Sequence, residues 1–294
     1  MKIKQSPGRK LFLAIDYVIL TMVMLLSLFP LIHIFALSLS SNSAAQAGWV
    51  TFLPVDFTTD SYKYILSKPE FFRAFGVSLV RVVLGTIISV GLTILSAYAM
   101  SQPDHKFHAR KFYVWMFMIT MIFSGGLIPL FIVVKSVGIY NTIWALVLPS
   151  AVQTFNIILM LNFFRGLPYA LTESAMIDGA NHFQIMAKIV VPISKPSLAT
   201  VGLFSMVGAW NSWFDGMIYL SDTAKYPLQT YLRNVIQSID MASIDLTSVD
   251  AMTNVSQKTV TAAQIFVAII PILLVYPLLQ KYFITGMTLG SVKE

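Results

Sequence analysis

Residues 168–196 read PYALTESAMIDGANHFQIMAKIVVPISKP, and they hold more information than any other part of the 294-residue chain. Glu173, Ser174, Ala175, Met176 and Ile177 favour or tolerate helix, whereas Gly179 and Asn181 are weak helix formers and suit a bend. A second run carries apolar residues at Phe183, Met186, Ala187 and Val190, spaced by three and four, and Pro192 and Pro196 are expected to stop it. The stretch therefore predicts a helix-turn-helix elbow. Ala175 and Gly179 lie one turn apart and leave a smooth patch flanked by Glu173 and Asp178. On residue chemistry alone two readings stand: an amphipathic linker in a membrane interface, or a patch that seats in another protein's groove.

Outward from the elbow, the chain is too apolar for water. Hydrophobic residues make up 56% and charged residues only 11%, with mean hydropathy +0.74, where a soluble domain carries about 25% charge. That balance excludes an ordinary soluble enzyme. A spanning helix needs about 20 mainly apolar residues, and six windows meet this near 11–39, 74–101, 112–134, 142–164, 197–220 and 263–285. The first has a basic start and a small-residue Ala45-Gln46-Ala47, but its apolar run exceeds the roughly 7 to 15 residues of a signal peptide. It is read as an uncleaved span.

An inner amino terminus places Lys2, Lys4, Arg9, Lys10, Lys106, Arg110, Lys111, Arg165, Lys188, Lys195, Lys281 and Lys293 inside. Outside fall Lys63, Lys68, Arg73, Lys135, Lys225, Arg233 and Lys258, so the positive-inside bias is satisfied and both termini are expected in the cytoplasm. The longer connections are then 40–73 and 221–262 outside and 165–196 inside. The net charge of +7 does not indicate nucleic acid, because the basic residues cluster beside apolar segments and form no stripe interleaved with aromatics. No cysteine is present, so thiolate metal sites and thiol nucleophiles are excluded, and the adjacent His105 and His108 lack a carboxylate set, so no metal site is expected.

Within the second window Gly85, Ser89, Thr93, Ala97 and Ser101 recur every four residues as one small-residue stripe. Such a stripe admits close helix packing, either within this chain or against a partner subunit. In the outer connection, Leu228, Tyr231, Leu232, Val235, Ile236 and Ile239 form one apolar helical face, followed by Asp240, Asp245 and Asp250, which are available to an external protein.

The elbow resembles the cytoplasmic loop of membrane-spanning permeases of ATP-binding-cassette importers. In that family the loop carries Glu-Ala-Ala, three residues, Gly, nine residues, then Ile-x-Leu-Pro. Here Glu173-Ser174-Ala175, Gly179 and Ile189-x-Val191-Pro192 keep the spacing, and Asp178-Gly179-Ala180 with Pro196 match the fuller form of sugar permeases. Ser174, Val191 and Met186 depart from the pattern by small or volume-conserving changes. Trp210-Asn211 and the stretch Gly286–Lys293 also resemble carbohydrate permeases of the maltose type, and Tyr226-Pro227-Leu228-Gln229 with Tyr231-Leu232-Arg233 resemble permeases for complex, uronate-bearing oligosaccharides.

The resemblance implies an all-α, six-span type I importer permease in a bacterial plasma membrane. It implies coupling to ATPase subunits through Glu173, Ser174, Ala175, Asp178, Gly179, Ala180, Ile189 and Pro192. It also implies a second permease, two nucleotide-binding subunits and an extracellular solute-binding protein as partners, with ATP and magnesium held by the ATPase. In this chain no glycine precedes a lysine, so it has no P-loop and is not itself expected to be an enzyme. An ion-coupled secondary transporter would need buried ionisable groups as a relay, and only Asp16, His33, Arg81 and Asp215 offer themselves, each toward a span end. An importer of a non-sugar solute is the other alternative. For a sugar path, Asn156, Asn162, Ser205, Trp210, Asn211, Trp213 and Asp215 supply amides, hydroxyls and indoles. The tryptophans fit an interfacial belt equally well.

Overall fold

The computed structural model describes residues 6–242 and 257–291, and these are helical with no strand among them. α1 (Pro7–Ser38) starts on a Ser6 cap that accepts from Arg9 N, with Pro7 in the first turn where its missing N–H costs nothing. After α2 (Asn42–Gln46) and α3 (Asp60–Leu66) comes α4 (Pro69–Ser101), then α5 (Arg110–Ile122), α6 (Leu127–Ser136), α7 (Trp144–Val147) and α8 (Thr154–Arg165). The elbow contains α9 (Ala170–Ile177), α10 (His182–Ile185), a π-helical turn at Met186–Val190 and α11 (Val191–Ile193). Beyond it lie α12 (Lys195–Asn211), α13 (Phe214–Tyr219), α14 (Leu228–Ala242) and α15 (Gln257–Ser291).

α1 displays apolar side chains all round, from Leu11 to Ile32, without covering them. A helix with that pattern belongs in lipid or against other apolar protein. Among the described residues, α1, α4 and Lys258–Val275 are single helices long and apolar enough to cross a bilayer. Two further candidates are bent pairs: α5 with α6 at 115°, and the elbow's second helical run (His182–Ile193) with α12 at 85°. α8 is apolar but has only 12 residues. The windows at 112–134, 142–164 and 197–220 are thus interrupted where the sequence predicts continuous spans. The breaks fall at Ser124-Gly125-Gly126, at 148–153 and at Ser212-Trp213, and Gly126 has φ +85, which no L side chain adopts without strain.

The chain divides into two compact units, Met1–Pro69 with Asn234–Ile270 and Glu70–Arg233 with Pro271–Glu294. Both α14 and α15 contribute to each unit, as long helices do when they extend beyond a single set of neighbours. In the first unit the end of α1 is fastened to the following loop. Ser40 Oγ donates to Ala36 O and accepts from Val55 N, His33 Nδ1 lies 2.8 Å from Thr51 O, and Ser38 Oγ lies 2.8 Å from Tyr62 Oη. Phe35 stacks at a tilt on Phe266, 4.6 Å between ring centres.

In the second unit the main core joins Ala97, Tyr98 and Met100 of α4, Ile157, Met160, Leu161 and Phe164 of α8, and Ala175, Ile185, Val190 and Val201. The small-residue stripe of α4 packs within the chain. Ser89, Thr93 and Ala97 are buried, and a β-carbon on Gly85 would stand 4.0 Å from the Ala209 β-carbon on α12. Of the apolar face on α14, Leu228 and Leu232 are buried. Asp245, Asp250, Lys2, Lys4, Val292 and Lys293 lie outside the described residues.

Candidate functional site

The elbow is built by two reciprocal caps. α9 ends in a Schellman turn: Gly179 N donates to Met176 O at 3.0 Å and Ala180 N to Ala175 O at 2.9 Å. Gly179 takes φ +81, the left-handed conformation the closing residue of that motif requires. α10 then starts with a capping box, in which Gln184 N donates to Asn181 Oδ1 and Asn181 N donates to Gln184 Oε1, both at 2.9 Å. Asp178-Gly179-Ala180-Asn181 is the whole connection between two satisfied helix ends, so the turn has little freedom. The signature Asn-x-x-Gln was legible in the sequence and corresponds to a helix start that a reading of Asn181 as a bend residue passes over.

Pro192 does not stop the second run. The π turn at Met186–Val190 leads straight into α11 through Pro192, since wider backbone pairing accommodates a residue that has no N–H to give. The chain turns at Ser194, whose Oγ donates to Val190 O at 2.6 Å, and α12 begins with Pro196 in its first turn.

Ala175 is buried in the chain's own core and so does not form the outward smooth patch that its spacing from Gly179 suggests. Facing outward are Glu173, Ser174, Asp178 and Gly179, and among them two large apolar side chains, Ile177 at 86% and Phe183 at 72% exposure. Ala180 and Ile189 are half-buried and Pro192 is exposed. Tyr98 Oη lies 3.2 Å from His182 Nδ1, and Lys106 reaches Met176 Sδ at 3.1 Å while standing 5.5 Å from the Tyr169 ring centre. The elbow is thereby fixed to α4 and to the loop after it.

About three turns into α4, Arg81 is almost fully buried and forms an ion pair through Nη2 with Asp215 Oδ2. Arg81 Nη1 also donates to Ser212 O at 3.1 Å and to Asp215 Oδ1 at 3.3 Å. The same Oδ1 accepts from Ser212 Oγ at 2.8 Å and Gly216 N at 2.9 Å, so the carboxylate caps the first turn of α13 while neutralising the guanidinium. Midway along α4, Ser205 Oγ donates to Ser89 Oγ at 3.3 Å and accepts from Asn156 Nδ2 at 3.1 Å, a buried polar bridge linking α4, α8 and α12.

A family model described as "Binding-protein-dependent transport system inner membrane component" matches residues 109–289, a segment that includes the elbow. The chain belongs to this family. The permease is 39% identical, over 97% of its own length and 99% of the relative's, to the polygalacturonan/rhamnogalacturonan transport system permease protein YtcP of Bacillus subtilis. It is 41% identical to Protein LplC of the same organism, covering 91% and 90% of the two chains. A chain in the crystal structure of a bacterial ABC transporter involved in the import of the acidic polysaccharide alginate superposes with TM-score 0.85 at 33% identity, over 96% of this chain and all of that one. The protein is thus an all-α, multi-pass ABC importer permease of the carbohydrate type, and the expected likeness to permeases for uronate-bearing sugars is met.

Of the permease's pathway candidates, Asn156, Ser205 and Trp210 are buried within the subunit, with Trp210 packed edge-on against Phe75 at 5.7 Å. They hold helices together in this conformation and present no surface to a solute. Asn162 and Asn211 are exposed, Trp213 is 38% exposed, and Asp215 is engaged by Arg81. Thr230 and Gly216, which sequence reasoning did not single out, prove to be structural neighbours of Trp213. Thr230 Oγ1 donates to Trp213 O at 2.8 Å.

Proposed function

We propose that the chain forms half of the translocation pathway for an acidic oligosaccharide, handed over by an external solute-binding protein and driven by ATP hydrolysis on separate subunits. The observation that carries this reading is near-full-length similarity to YtcP and to the alginate importer chain, whose names carry polymers of sugar acids. A second permease completes the pathway, and two ATPase subunits receive the elbow, with Glu173, Ser174, Asp178 and Gly179 at the contact and Ile177 and Phe183 as its apolar contribution. ATP and magnesium belong to those subunits and none is bound by this chain. Both termini and the elbow face the cytoplasm, in keeping with the distribution of lysine and arginine.

Electrostatics within the second unit are compatible with such a cargo. The carboxylate of Asp215 is spent on Arg81, so it offers neither a cation site nor a free proton relay. The test is uptake by proteoliposomes containing the complex purified with its partner subunits and supplied with its binding protein. ATP-dependent entry of oligogalacturonide is expected, together with a co-purifying ATPase. Stimulation of ATP hydrolysis by a peptide-loaded binding protein, with none by one loaded with oligosaccharide, overturns the assignment.

A further inference from the structure

Trp213 and Arg233 are brought together by a chain of local constraints. Gly216 lies so close to α14 that a β-carbon there would stand 2.2 Å from Thr230 Oγ1, so only glycine admits the approach. Thr230, fully buried, uses that hydroxyl to donate to the Trp213 carbonyl. One helical turn further along α14, on the same face, Arg233 sets its guanidinium carbon 5.2 Å from the Trp213 ring centre. The start of α14 is itself pinned by Leu228 N donating to Ser78 Oγ at 2.7 Å, and the break before Trp213 is pinned by Arg81 on Ser212 O. An indole and a guanidinium are thus held as a pair by groups that are themselves buried.

Both members of the pair remain open to solvent, Trp213 at 38% and Arg233 on an exposed turn. Among the described residues no carboxylate lies within ion-pair distance of Arg233. Asp215, the carboxylate nearest to Trp213 in sequence, is already neutralised by Arg81. The pair therefore presents unspent N–H donors of fixed positive charge beside apolar aromatic surface.

We propose that Trp213 and Arg233 form a recognition element for an anionic sugar: the guanidinium pairs with the carboxylate, and the C–H face of the pyranose packs on the indole. This rests on the acidic-oligosaccharide reading and deepens it by naming the residues that distinguish an acidic sugar from a neutral one. A charge-assisted pair of this kind is lost when arginine becomes glutamine and weakened when it becomes lysine, which keeps the charge without the planar fork.

The experiment compares wild-type, Arg233→Gln and Arg233→Lys complexes, each recovered with all partner subunits, using trigalacturonate and its fully methyl-esterified, neutral form as probes. Proteoliposome uptake of trigalacturonate is expected to fall by roughly ten- to a hundredfold in Arg233→Gln and by less in Arg233→Lys. Ligand-observed saturation-transfer NMR on the same complexes without binding protein is expected to show wild type favouring the acid over the ester and Arg233→Gln losing that preference. Uptake within twofold of wild type in Arg233→Gln, or an unchanged acid preference, overturns the proposal. A wild-type complex that takes up no trigalacturonate overturns the substrate reading itself, and this is seen before any variant is compared.

Discussion

Removing the carboxylate of the Arg81–Asp215 pair should do more harm than removing the guanidinium. In Asp215→Asn the amide oxygen can still accept from Ser212 Oγ and Gly216 N, but its NH2 now opposes Arg81 Nη2, and a guanidinium only 2% exposed keeps the Ser212 carbonyl as its remaining full acceptor. Breaking a buried pair so that one charge is stranded costs about 3–5 kcal/mol. In Arg81→Met the stranded group is Asp215, which is 21% exposed and retains its two donors at 2.8 and 2.9 Å, so a loss of about 1–3 kcal/mol is expected. The double variant strands no charge and keeps the cap on α13, so it should be more stable than Asp215→Asn alone. Heating purified complexes in detergent and measuring the monodisperse fraction by size exclusion gives the ranking. If Arg81→Met proves as damaging as Asp215→Asn, or the double variant is the worst of the three, the pair does not neutralise a buried charge and the reasoning fails.

Gly216→Ala should lose about 1–3 kcal/mol through the forced displacement of Thr230. Adding Thr230→Ala removes the atom at 2.2 Å and should recover part of that loss; a fully additive double variant in the same thermal assay would contradict the close approach. Gly179→Leu places a branched side chain at φ +81, costing about 1–2 kcal/mol, whereas Gly179→Asn suits that backbone better. The leucine variant, and Glu173→Lys by charge reversal, should insert normally yet reduce ATP hydrolysis stimulated by loaded binding protein; normal stimulation in both refutes a coupling role for the elbow. Because the chain has no native cysteine, Lys188→Cys gives labelling without background, and a membrane-impermeant maleimide reaching it from outside sealed cells would reverse the orientation of the elbow.

Helix and turn chemistry in the elbow was legible because it is local. A glycine three residues after Met176, an asparagine three before Gln184 and a repeat of three and four at Phe183–Val190 each specify a backbone bond within one turn of themselves. The small-residue stripe of α4 was equally plain, and the structure decides between its two partners in favour of α12 and the core of the chain itself. Hydropathy windows performed less well. They add apolar residues over about 20 positions and respond to composition, so Gly125-Gly126 and Ser212-Trp213 vanish into the average although each breaks a helix.

The polar contacts of the site follow a different logic. Arg81 and Asp215 are 134 positions apart, Asn156 and Ser205 are 49, and no periodicity within either helix names its partner. What the sequence can supply is the physical demand: an arginine about three turns inside an apolar helix must find an anion or reach the surface, and with so few acidic residues in the spans the choice is short. The same reasoning fails for Arg233, whose charge has no anion to find among the described residues. A buried arginine without a carboxylate would be intolerable, whereas an exposed one fixed over an indole is stable and unspent. That difference in desolvation is why Arg81 can be read as architecture and Arg233 as a position still able to take a ligand.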